Sequence, residues 1–436
     1  MSSSLNINDV VSRVAKKKNE WAELPPEKKL ELLDRLMDNL EENCEQLQAA
    51  SIIKRDGEGN SSSSPSYASL EPQYLSALQN SSSCVHWLHS SMLLSNWLGI
   101  IREYFDSVVK TGAPPAPLEV KEAPTPEGKP QRYFVKVGPK GLLHTTLVTC
   151  GSMELLVEGP IEQEMIHQRP PGLTAILGAG NFDGPVDLLT SLFIENKVCV
   201  YKMSPFNAGL LDPLSKLFAP LLDADYCAFI FGGAEEGAAL LQHPEVCKWY
   251  MTGRTDSLNG MRREEFLDLV RMYIEDIYYV GCYYPDFAKR MESYKQQLID
   301  MGRKPEEFEV SETFSPCCGE VPLDTENTIE AFLPAAVQYT NNKVHGGLSV
   351  SISVRPSTPA EEKVVEEAIS NLNYGAVQIN TDTKLSIAFP SLVWGGCPGS
   401  TIYDLNSGIG FIGNCFGIKR PLKSVIRAPF LNFTQM

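Results

Sequence analysis

Apolar residues recur every three or four positions near the start of the chain, which is the spacing of one buried helix face. Residues 21–47 follow this spacing and predict a helix. Pro25 and Pro26 lie near its start, where a missing N–H costs no hydrogen bond. The same spacing predicts a second helix over residues 93–109.

Proline is concentrated in residues 114–130, which contain six of them. Because proline removes a backbone donor and keeps the preceding residue out of the helical region, this stretch predicts an extended linker. Apolar segments after it predict strands around the Gly138-Pro139 turn. These strands cover residues 133–137, 142–148 and 153–157.

In the middle of the chain, short apolar runs alternate with helical stretches. This alternation is typical of a parallel sheet built from right-handed crossovers, which binds ligands at the carboxyl ends of its strands. Clusters of glycine fall at those ends. The predicted strands are 173–177, 198–201, 227–231 and 249–251, and the predicted helices are 186–195, 210–222 with Asn207 as its cap, and 234–242.

The second half of the chain mixes the two periodicities again, which supports a second α/β unit. The predicted helices are 261–280 and 359–372, the predicted strands are 349–354 and 376–379, and the Gly-rich tail over 395–417 is loop-like with a candidate terminal strand after it.

The charge and cysteine content exclude several classes of function. A net charge of −16 leaves no excess of Lys and Arg to neutralise phosphates, which argues against nonspecific binding of nucleic acid or anionic membranes. Eleven Cys without framework spacing are typical of reduced thiols, and no apolar run is long enough for a membrane helix, so we expect a cytoplasmic protein. A short organelle-targeting signal stays open. Cys84, His86 and His89 have no evident fourth ligand, and we predict no metal site.

Gly178-Ala179-Gly180 follows a predicted strand and precedes a predicted helix. Glycines in that place let the backbone approach a bound phosphate, but the spacing departs from the Gly-x-Gly-x-x-Gly fingerprint. On this motif alone, a tight structural turn and a nucleotide contact are both open.

Several longer segments carry more information together. They are Leu-Gly-Ala-Gly-Asn-Phe-Asp at 177–183, Ile-Glu-Asn-Lys-Val-Cys-Val-Tyr-Lys-Met-Ser-Pro at 194–205, Phe-Gly-Gly-Ala-Glu-Glu-Gly at 231–237, Met-Thr-Gly at 251–253 and Glu-Thr-Phe-Ser-Pro at 312–316. In this order and spacing the chain resembles the aldehyde dehydrogenase superfamily, from about Trp21 to its end with one large gap.

The resemblance implies an α/β fold with a Rossmann-type parallel-sheet cofactor lobe, a shortened second α/β lobe and a small bridging sheet. It also implies NAD or NADP as the cofactor, a small-molecule aldehyde as the substrate and a homo-oligomer. The implied domains are an N-terminal helical part with linker over 1–130, bridging strands over 131–158, a dinucleotide-binding lobe over 159–260, a truncated catalytic-type lobe over 261–399 and a tail with an oligomerisation strand over 400–436.

Site residues carry over by position. Asn181 matches the residue whose amide donates to the developing oxyanion, and a loop Asn bonded to backbone is its alternative. Lys202 matches the lysine that binds the adenine ribose, and Glu312 and Phe314 match the residues at the nicotinamide ribose and ring. As alternatives, Lys202 could be a solvated charge, Gly237 a helix-packing glycine and Phe314 ordinary core. Glu312 could instead begin a surface turn. The full set of implied cofactor residues is Gly178, Gly180, Lys202, Gly233, Gly237, Thr252, Gly253, Glu312 and Phe314.

The chain also departs from the family pattern. Pro205 stands where the family usually has a Glu that accepts from the ribose hydroxyls, so NAD and NADP are both open. Arg254 replaces the Ser of Thr-Gly-Ser, and as a large cation it could pair with a phosphate or crowd the pocket.

The family's catalytic segment is not recognisable in the sequence. Thr252 and Glu312 are only 60 positions apart, no Glu-Leu-Gly is present, and no Cys follows a Gln by three residues. Cys282, Cys317 and Cys318 are weak substitutes, because a nucleophile must be held close to its reaction geometry. Two hypotheses follow: NAD(P)-dependent oxidation of an aldehyde to an acid, or a catalytically silent nucleotide-binding or oligomerising member, including an incomplete version of a longer enzyme.

Overall fold

A computed structural model describes residues 7–57, 91–140, 151–178, 185–232, 234–251, 321–400 and 407–430. The predicted strand over 142–148 and the predicted helix over 261–280 lie outside these ranges. The helices within them are α1 Ile7–Ala15, α2 Lys18–Ala22, α3 Pro26–Gly57, α4 Ser91–Thr111, α5 Val186–Leu189, α6 Leu211–Leu217, α7 Ala219–Leu222, α8 Ala234–Leu241, α9 Ile329–Lys343 and α10 Pro359–Asn371.

The strands of the described ranges confirm the main alternation expected from the sequence. They are β1 Glu119–Ala123, β2 Arg132–Gly138, β3 Ser152–Glu158, β4 Leu173–Leu177, β5 Val198–Lys202, β6 Cys227–Ile230, β7 Val246–Met251, β8 Ser349–Ile352, β9 Ala376–Ile379, β10 Val393–Gly395, β11 Phe411–Gly413 and β12 Pro421–Arg427. Four short helical turns add to them: the π-helical turn Thr190–Ile194 and the 3-10 turns Ile166–Gln168, Pro205–Leu210 and Leu385–Ala388.

Strands β4 to β7 form a parallel sheet in the order β6-β5-β4-β7, which we call the first lobe together with its crossover helices. The central strands β4 and β5 are almost wholly buried and apolar, as expected for a parallel sheet with both faces covered. After β4, helix α5 runs directly into the π-helical turn Thr190–Ile194.

The second crossover corrects one prediction. Asn207 does not cap a helix, because it lies inside the 3-10 turn Pro205–Leu210 and is only 2% exposed. This turn runs directly into α6, whose capping residue is Leu210 with no side-chain bond. The turn therefore takes the place of a polar cap, as short 3-10 segments often do at helix starts.

The other large sheet has six strands in the order β1-β2-β3-β12-β9-β8. The pairs β1–β2, β2–β3 and β3–β12 are antiparallel, whereas the pairs β12–β9 and β9–β8 are parallel. The bridging strands are thus continuous with the strands of the second lobe, which we define as β8, β9, α9 and α10. The C-terminal strand β12 is the element that joins the two parts.

The prediction of a linker over residues 114–130 missed β1. This strand pairs with β2 in antiparallel register, with Val120 opposite Val135. Its five residues lie between Pro117 and Pro124, so each has an amide available for the ladder. Proline content alone therefore gave the wrong answer for the middle of this stretch.

Helices α9 and α10 cover one face of the second lobe. Val365 and Ile369 of α10 are buried in the same apolar cluster as Val377 of β9 and Val425 of β12. Thr358 begins α10 with a capping box, in which its hydroxyl accepts from the Glu361 amide.

The N-terminal helices are held on the first lobe by a buried tryptophan. The Trp21 indole Nε1 donates to the carbonyl oxygen of Leu192 at 2.9 Å, and its ring packs edge-on against Phe193 with centroids 5.4 Å apart. Helix α3 also packs along α4. Trp97 of α4 in turn donates to the carbonyl of Ile387 at 2.8 Å, which ties the helices to the part of the chain that follows β9.

Within the described ranges, no helix combines the length and apolar character needed to cross a bilayer. The same residues contain no cluster of three or more His, Cys, Asp or Glu side chains placed to hold a metal ion.

Candidate functional site

The carboxyl ends of the first-lobe strands meet at one edge of the sheet. Leu177, which ends β4, is in register with Lys202 at the end of β5 and with Met251 at the end of β7. Lys202 is in turn opposite Ile230, which ends β6. Parallel sheets bind ligands at this edge, so it is the candidate site.

The structure describes three of the residues that the sequence assigned to the site. Gly178, Lys202 and Gly237 all lie at this carboxyl edge. The remaining ones fall outside the described residues: Gly180, Asn181, Gly233, Thr252, Gly253, Glu312 and Phe314.

Gly178 is a packing glycine. Its amide donates to the carbonyl of Lys202 at 2.9 Å, which extends the ladder one residue beyond β4. A Cβ at this position would lie 2.4 Å from the hydroxyl oxygen of Tyr201 and 2.7 Å from the adjacent ring carbon. The Tyr201 side chain, 5% exposed, therefore occupies the space that a side chain would need. This geometry supports the structural-turn interpretation of Gly178.

We expect the substitution Gly178→Ala to lower the free energy of unfolding by about 1–3 kcal/mol, because the added methyl group overpacks a buried ring. Tyr201→Phe removes the hydroxyl oxygen that lies nearest to the added methyl group. The loss of stability in the double variant Gly178→Ala/Tyr201→Phe should therefore be smaller than the sum of the losses in the two single variants. Urea denaturation measures all three.

Gly237→Ala is the matched control for this prediction. A Cβ there would be 3.6 Å from its nearest atom, Cε of Lys202, which is ordinary contact. Alanine also favours a helix over glycine by about 1 kcal/mol. Gly237→Ala should therefore be neutral or stabilising, and equal losses in the two alanine variants would contradict the packing argument.

Lys202 extends from the end of β5 along α8. Its Cε and Cδ atoms lie 3.6 and 3.7 Å from the position of a Cβ on Gly237, so the alkyl stem runs close to the helix backbone. The side chain is half-buried. Burial lowers the pKa of Lys202, and the negative charge of Glu236 opposes this shift. The alkyl stem of Lys202 thus lies close to α8 at the edge of the sheet.

Sequence reasoning did not assign Gly232 and Glu236 to the site. Gly232 follows β6 and has φ of +151°, and a Cβ on it would lie 2.3 Å from Cγ of Glu236. The Glu236 side chain, from the first turn of α8, therefore lies over Gly232 beside the end of β5. The available signal was the Gly-Gly pair directly after a strand, but nothing in the sequence indicated the direction of Glu236.

The opposite, amino edge of the sheet carries an ion cluster. Glu195 lies 2.9 Å from Arg169 and 3.0 Å from Lys248, with Lys197 at 4.0 Å. Although burial raises it, the pKa of Glu195 stays below its usual value because these cations stabilise the carboxylate. The cluster joins the loop before β4 to the starts of β5 and β7, which is a structural role.

The cysteines of the first-lobe strands do not lie at the carboxyl ends of those strands. Burial raises the pKa of Cys199 and of Cys227, which are neighbours inside β5 and β6. Cys247 is exposed but lies near the beginning of β7, at the far end from the site. Burial also raises the pKa of Cys397 and of Cys415. The candidates Cys282, Cys317 and Cys318 lie outside the described residues.

No family model matches the sequence, and no curated protein matches it significantly. Solved structures do match it. A lactaldehyde dehydrogenase is similar over 96% of this chain and 90% of its own length, with 14% identity and a TM-score of 0.56. The glyceraldehyde-3-phosphate dehydrogenase GapN from Methanocaldococcus jannaschii, in complex with NADP, is similar over 96% of this chain and 92% of its own, with 12% identity and a TM-score of 0.54.

A third similar structure is an NADP-dependent glyceraldehyde-3-phosphate dehydrogenase from Bacillus halodurans, also in complex with NADP. It covers 96% of this chain and 90% of its own, with 14% identity and a TM-score of 0.52. At such low identity the similarity establishes the fold. The resemblance inferred from the sequence motifs is confirmed at that level, and the chain has the α/β fold of the aldehyde dehydrogenases.

Proposed function

We propose that this chain binds a nicotinamide dinucleotide, NAD or NADP, at the carboxyl edge of the first-lobe sheet, as an oxidoreductase of the aldehyde dehydrogenase type. The observation that carries the proposal is the register of the strand ends, which brings Gly178, Lys202 and Ile230 to one edge. The similar solved structures support it, since two of them were determined with NADP and all three are named for an aldehyde substrate.

The described residues fit a dinucleotide in two respects. Lys202 offers ammonium donors at the end of β5, where ribose hydroxyls accept hydrogen bonds. Glu236, whose side chain lies over Gly232 after β6, offers a carboxylate that can accept from a ribose hydroxyl. Asn181, Gly180, Gly233, Thr252, Gly253, Glu312 and Phe314 remain proposed contacts by resemblance.

The proposed reaction is oxidation of a small aldehyde to its carboxylic acid. A bound nicotinamide would supply the hydride acceptor, and the chain would bind and orient both molecules. In this family a cysteine thiolate attacks the aldehyde, with Asn181 matching the donor to the resulting oxyanion. The nucleophile of this chain is unassigned.

One observation favours a second candidate function, a catalytically silent protein that binds nucleotide. In the first-lobe strands, Cys199 and Cys227 are buried thiols with a raised pKa, and Cys247 lies away from the carboxyl edge. A thiol with a raised pKa is a poor nucleophile, because the thiolate is the reactive form. The short interval between Thr252 and Glu312 points the same way.

Calorimetry with NAD and NADP, paired with an absorbance assay for aldehyde-dependent NAD(P)H, separates the candidates. Binding with turnover supports the enzyme, and binding without turnover of any aldehyde supports the silent form. We expect Lys202→Met to weaken nucleotide binding at least tenfold, because a charged hydrogen bond contributes about 1.5–3 kcal/mol. Lys216→Met, on the exposed face of α6, is the matched control. If the wild type binds neither nucleotide, the proposal fails.

Self-association is a further part of the proposal. The edge strand β1 has Val120 at 44% exposure, and Leu118 directly before it is 50% exposed. These residues, the bridging strands and the C-terminal tail are the surfaces that we assign to a homo-oligomer. Light scattering of the purified chain tests it, and a strictly monomeric mass would contradict it. The domain boundaries given above and the cytoplasmic location also stay predictions.

A further inference from the structure

The sequence leaves the choice between NAD and NADP open, because Pro205 replaces the carboxylate expected after β5. The structure brings a different carboxylate to the same edge. Glu236 belongs to α8, which begins after β6, and its side chain lies over Gly232. Strand β6 is the direct neighbour of β5, so this side chain is beside the strand end that carries Lys202.

Two contacts and one charge interaction define this arrangement. The amide of Met203 donates to the carbonyl of Ile230 at 2.9 Å, which holds the ends of β5 and β6 together. The stem of Lys202 lies against the backbone of α8 at Gly237, the residue directly after Glu236. Burial lowers the pKa of Lys202, and the nearby charge of Glu236 opposes that shift.

A lysine and a glutamate at one strand end form a donor and an acceptor for a diol. The 2′-hydroxyl of the adenosine ribose can donate to a carboxylate, whereas a 2′-phosphate has no proton to donate near pH 8 and carries a like charge. In dinucleotide-binding lobes, an acidic side chain that accepts from the ribose 2′-hydroxyl is characteristic of NAD sites. We propose that Glu236 determines the cofactor preference of this chain and makes it bind NAD in preference to NADP. This inference rests on the proposed function.

Lys202 alone would favour the opposite preference, since a lysine attracts a phosphate dianion. The carboxylate of Glu236 reverses this preference. Among the described residues at this edge, Lys202 is the cation and Glu236 opposes its charge, so the pair presents no net positive charge to a 2′-phosphate. The hydroxyl of NAD still has both a donor and an acceptor in reach.

Calorimetric titration of the full chain with NAD and with NADP tests the inference without requiring turnover. We expect the wild type to bind NAD at least tenfold more tightly. In Glu236→Gln the like charge is removed while an amide of the same shape remains, so NADP affinity should rise about tenfold, and the preference should shrink accordingly. Raising the salt concentration should narrow the wild-type preference, because screening weakens the repulsion.

Glu235→Gln is the matched control, because it removes the same charge from the neighbouring, exposed position. It should leave the ratio of the two affinities unchanged, and thermal unfolding should show both variants folded. If Glu236→Gln does not fold, the ratio of NAD to NADP affinity of the wild type, measured at low and high salt, still tests the inference. Equal binding of NAD and NADP by the wild type, or an unchanged ratio in Glu236→Gln, would overturn the inference and leave nucleotide binding intact. Binding of neither nucleotide would overturn the proposed function itself.

Discussion

Raising the pH from 7 to 10 is expected to stabilise the wild-type chain strongly relative to Lys29→Met. The Lys29 side chain is fully buried in α3, where its Nζ donates to Oδ1 of Asn196 and lies 4.9 Å from the centre of the Trp21 ring. Burial lowers the pKa of Lys29 to about 7, and no carboxylate is paired with it among the described residues. The unfolded chain therefore holds a proton that the folded chain lacks between pH 7 and the ordinary lysine value.

The expected slope follows from this difference in bound protons. Stability rises wherever the unfolded state binds more protons, by about 1.4 kcal/mol per pH unit for one proton. The free-energy difference between the wild type and Lys29→Met should change by that amount per unit from pH 7 to pH 10. Below pH 7, Lys29→Met should be the more stable protein. Urea denaturation at each pH measures this.

Other buried groups titrate as well. Burial raises the pKa of four thiols, so their ionisation in the unfolded chain lowers stability as the pH approaches 10, equally in the wild type and in Lys29→Met; they are Cys199, Cys227, Cys397 and Cys415. Burial lowers the pKa of His167, with a further contribution from Lys29, so His167 acts below pH 6.5. Burial raises the pKa of Tyr104, which shares a hydrogen bond with His167, to about 12. Above pH 10 the unfolded chain loses this proton before the folded chain does, so Tyr104 makes stability fall with further increase in pH. Burial lowers the pKa of Lys423 to about 8, which adds a slope common to the wild type and to Lys29→Met.

Lys28→Met is the matched control for Lys29, since Lys28 is adjacent but exposed and pairs with Glu31 on the surface. Its stability should follow the wild type across the whole range. A flat difference between the wild type and Lys29→Met from pH 7 to 10 would show that Lys29 is not the buried group described above.

Loss of Arg427 is expected to have the second largest effect on stability. Its Nε donates to Glu154 of β3 at 3.0 Å, and its two terminal nitrogens hold both carboxylate oxygens of Glu366 in α10 at 2.8 Å. The guanidinium also lies 4.9 Å from the centre of the Phe134 ring. One side chain thus joins β12 to a neighbouring strand and to the helix above the sheet.

Arg427→Met should lower the free energy of unfolding by about 3 kcal/mol. The cost arises because Glu154, 9% exposed, is left as an uncompensated buried charge. Glu366 is partly exposed, so water can solvate its carboxylate once Arg427 is removed. The expected loss of stability is therefore at the lower end of the range for breaking a buried ion pair. Denaturant unfolding of the purified variant gives the value.

Lys363→Met provides the comparison from the same helix. Lys363 pairs with Glu367 at 3.7 Å on the exposed surface of α10, and such pairs contribute less than about 1 kcal/mol. A loss in Arg427→Met no larger than that in Lys363→Met would show that the cluster around Arg427 does not anchor the C-terminal strand.

The two predictions concern the elements that hold the lobes in place rather than the candidate site. Lys29 lies where the N-terminal helices meet the first lobe, and Arg427 lies where β12 meets the second. Nucleotide binding at the carboxyl edge depends on both only indirectly, through the position of the sheet.

The amino-acid sequence by itself determined the alternation of strands and helices in the first lobe. Strand β4 was predicted over its observed residues, and β9 likewise, because an apolar run bounded by glycine is a local signal. The motifs that contain Lys202 and Gly237 also indicated which sheet edge forms the candidate site. These features depend on neighbours along the chain, which a sequence displays directly.

The tertiary structure alone decided the features that depend on distant partners. Strand β1 exists because β2 offers it a ladder, although prolines surround it. Gly178 accommodates the ring of Tyr201 from the next strand, and Glu236 reaches the edge of β5 from a helix that follows β6. Each depends on two segments that only the folded sheet brings together, so no local pattern could have indicated them.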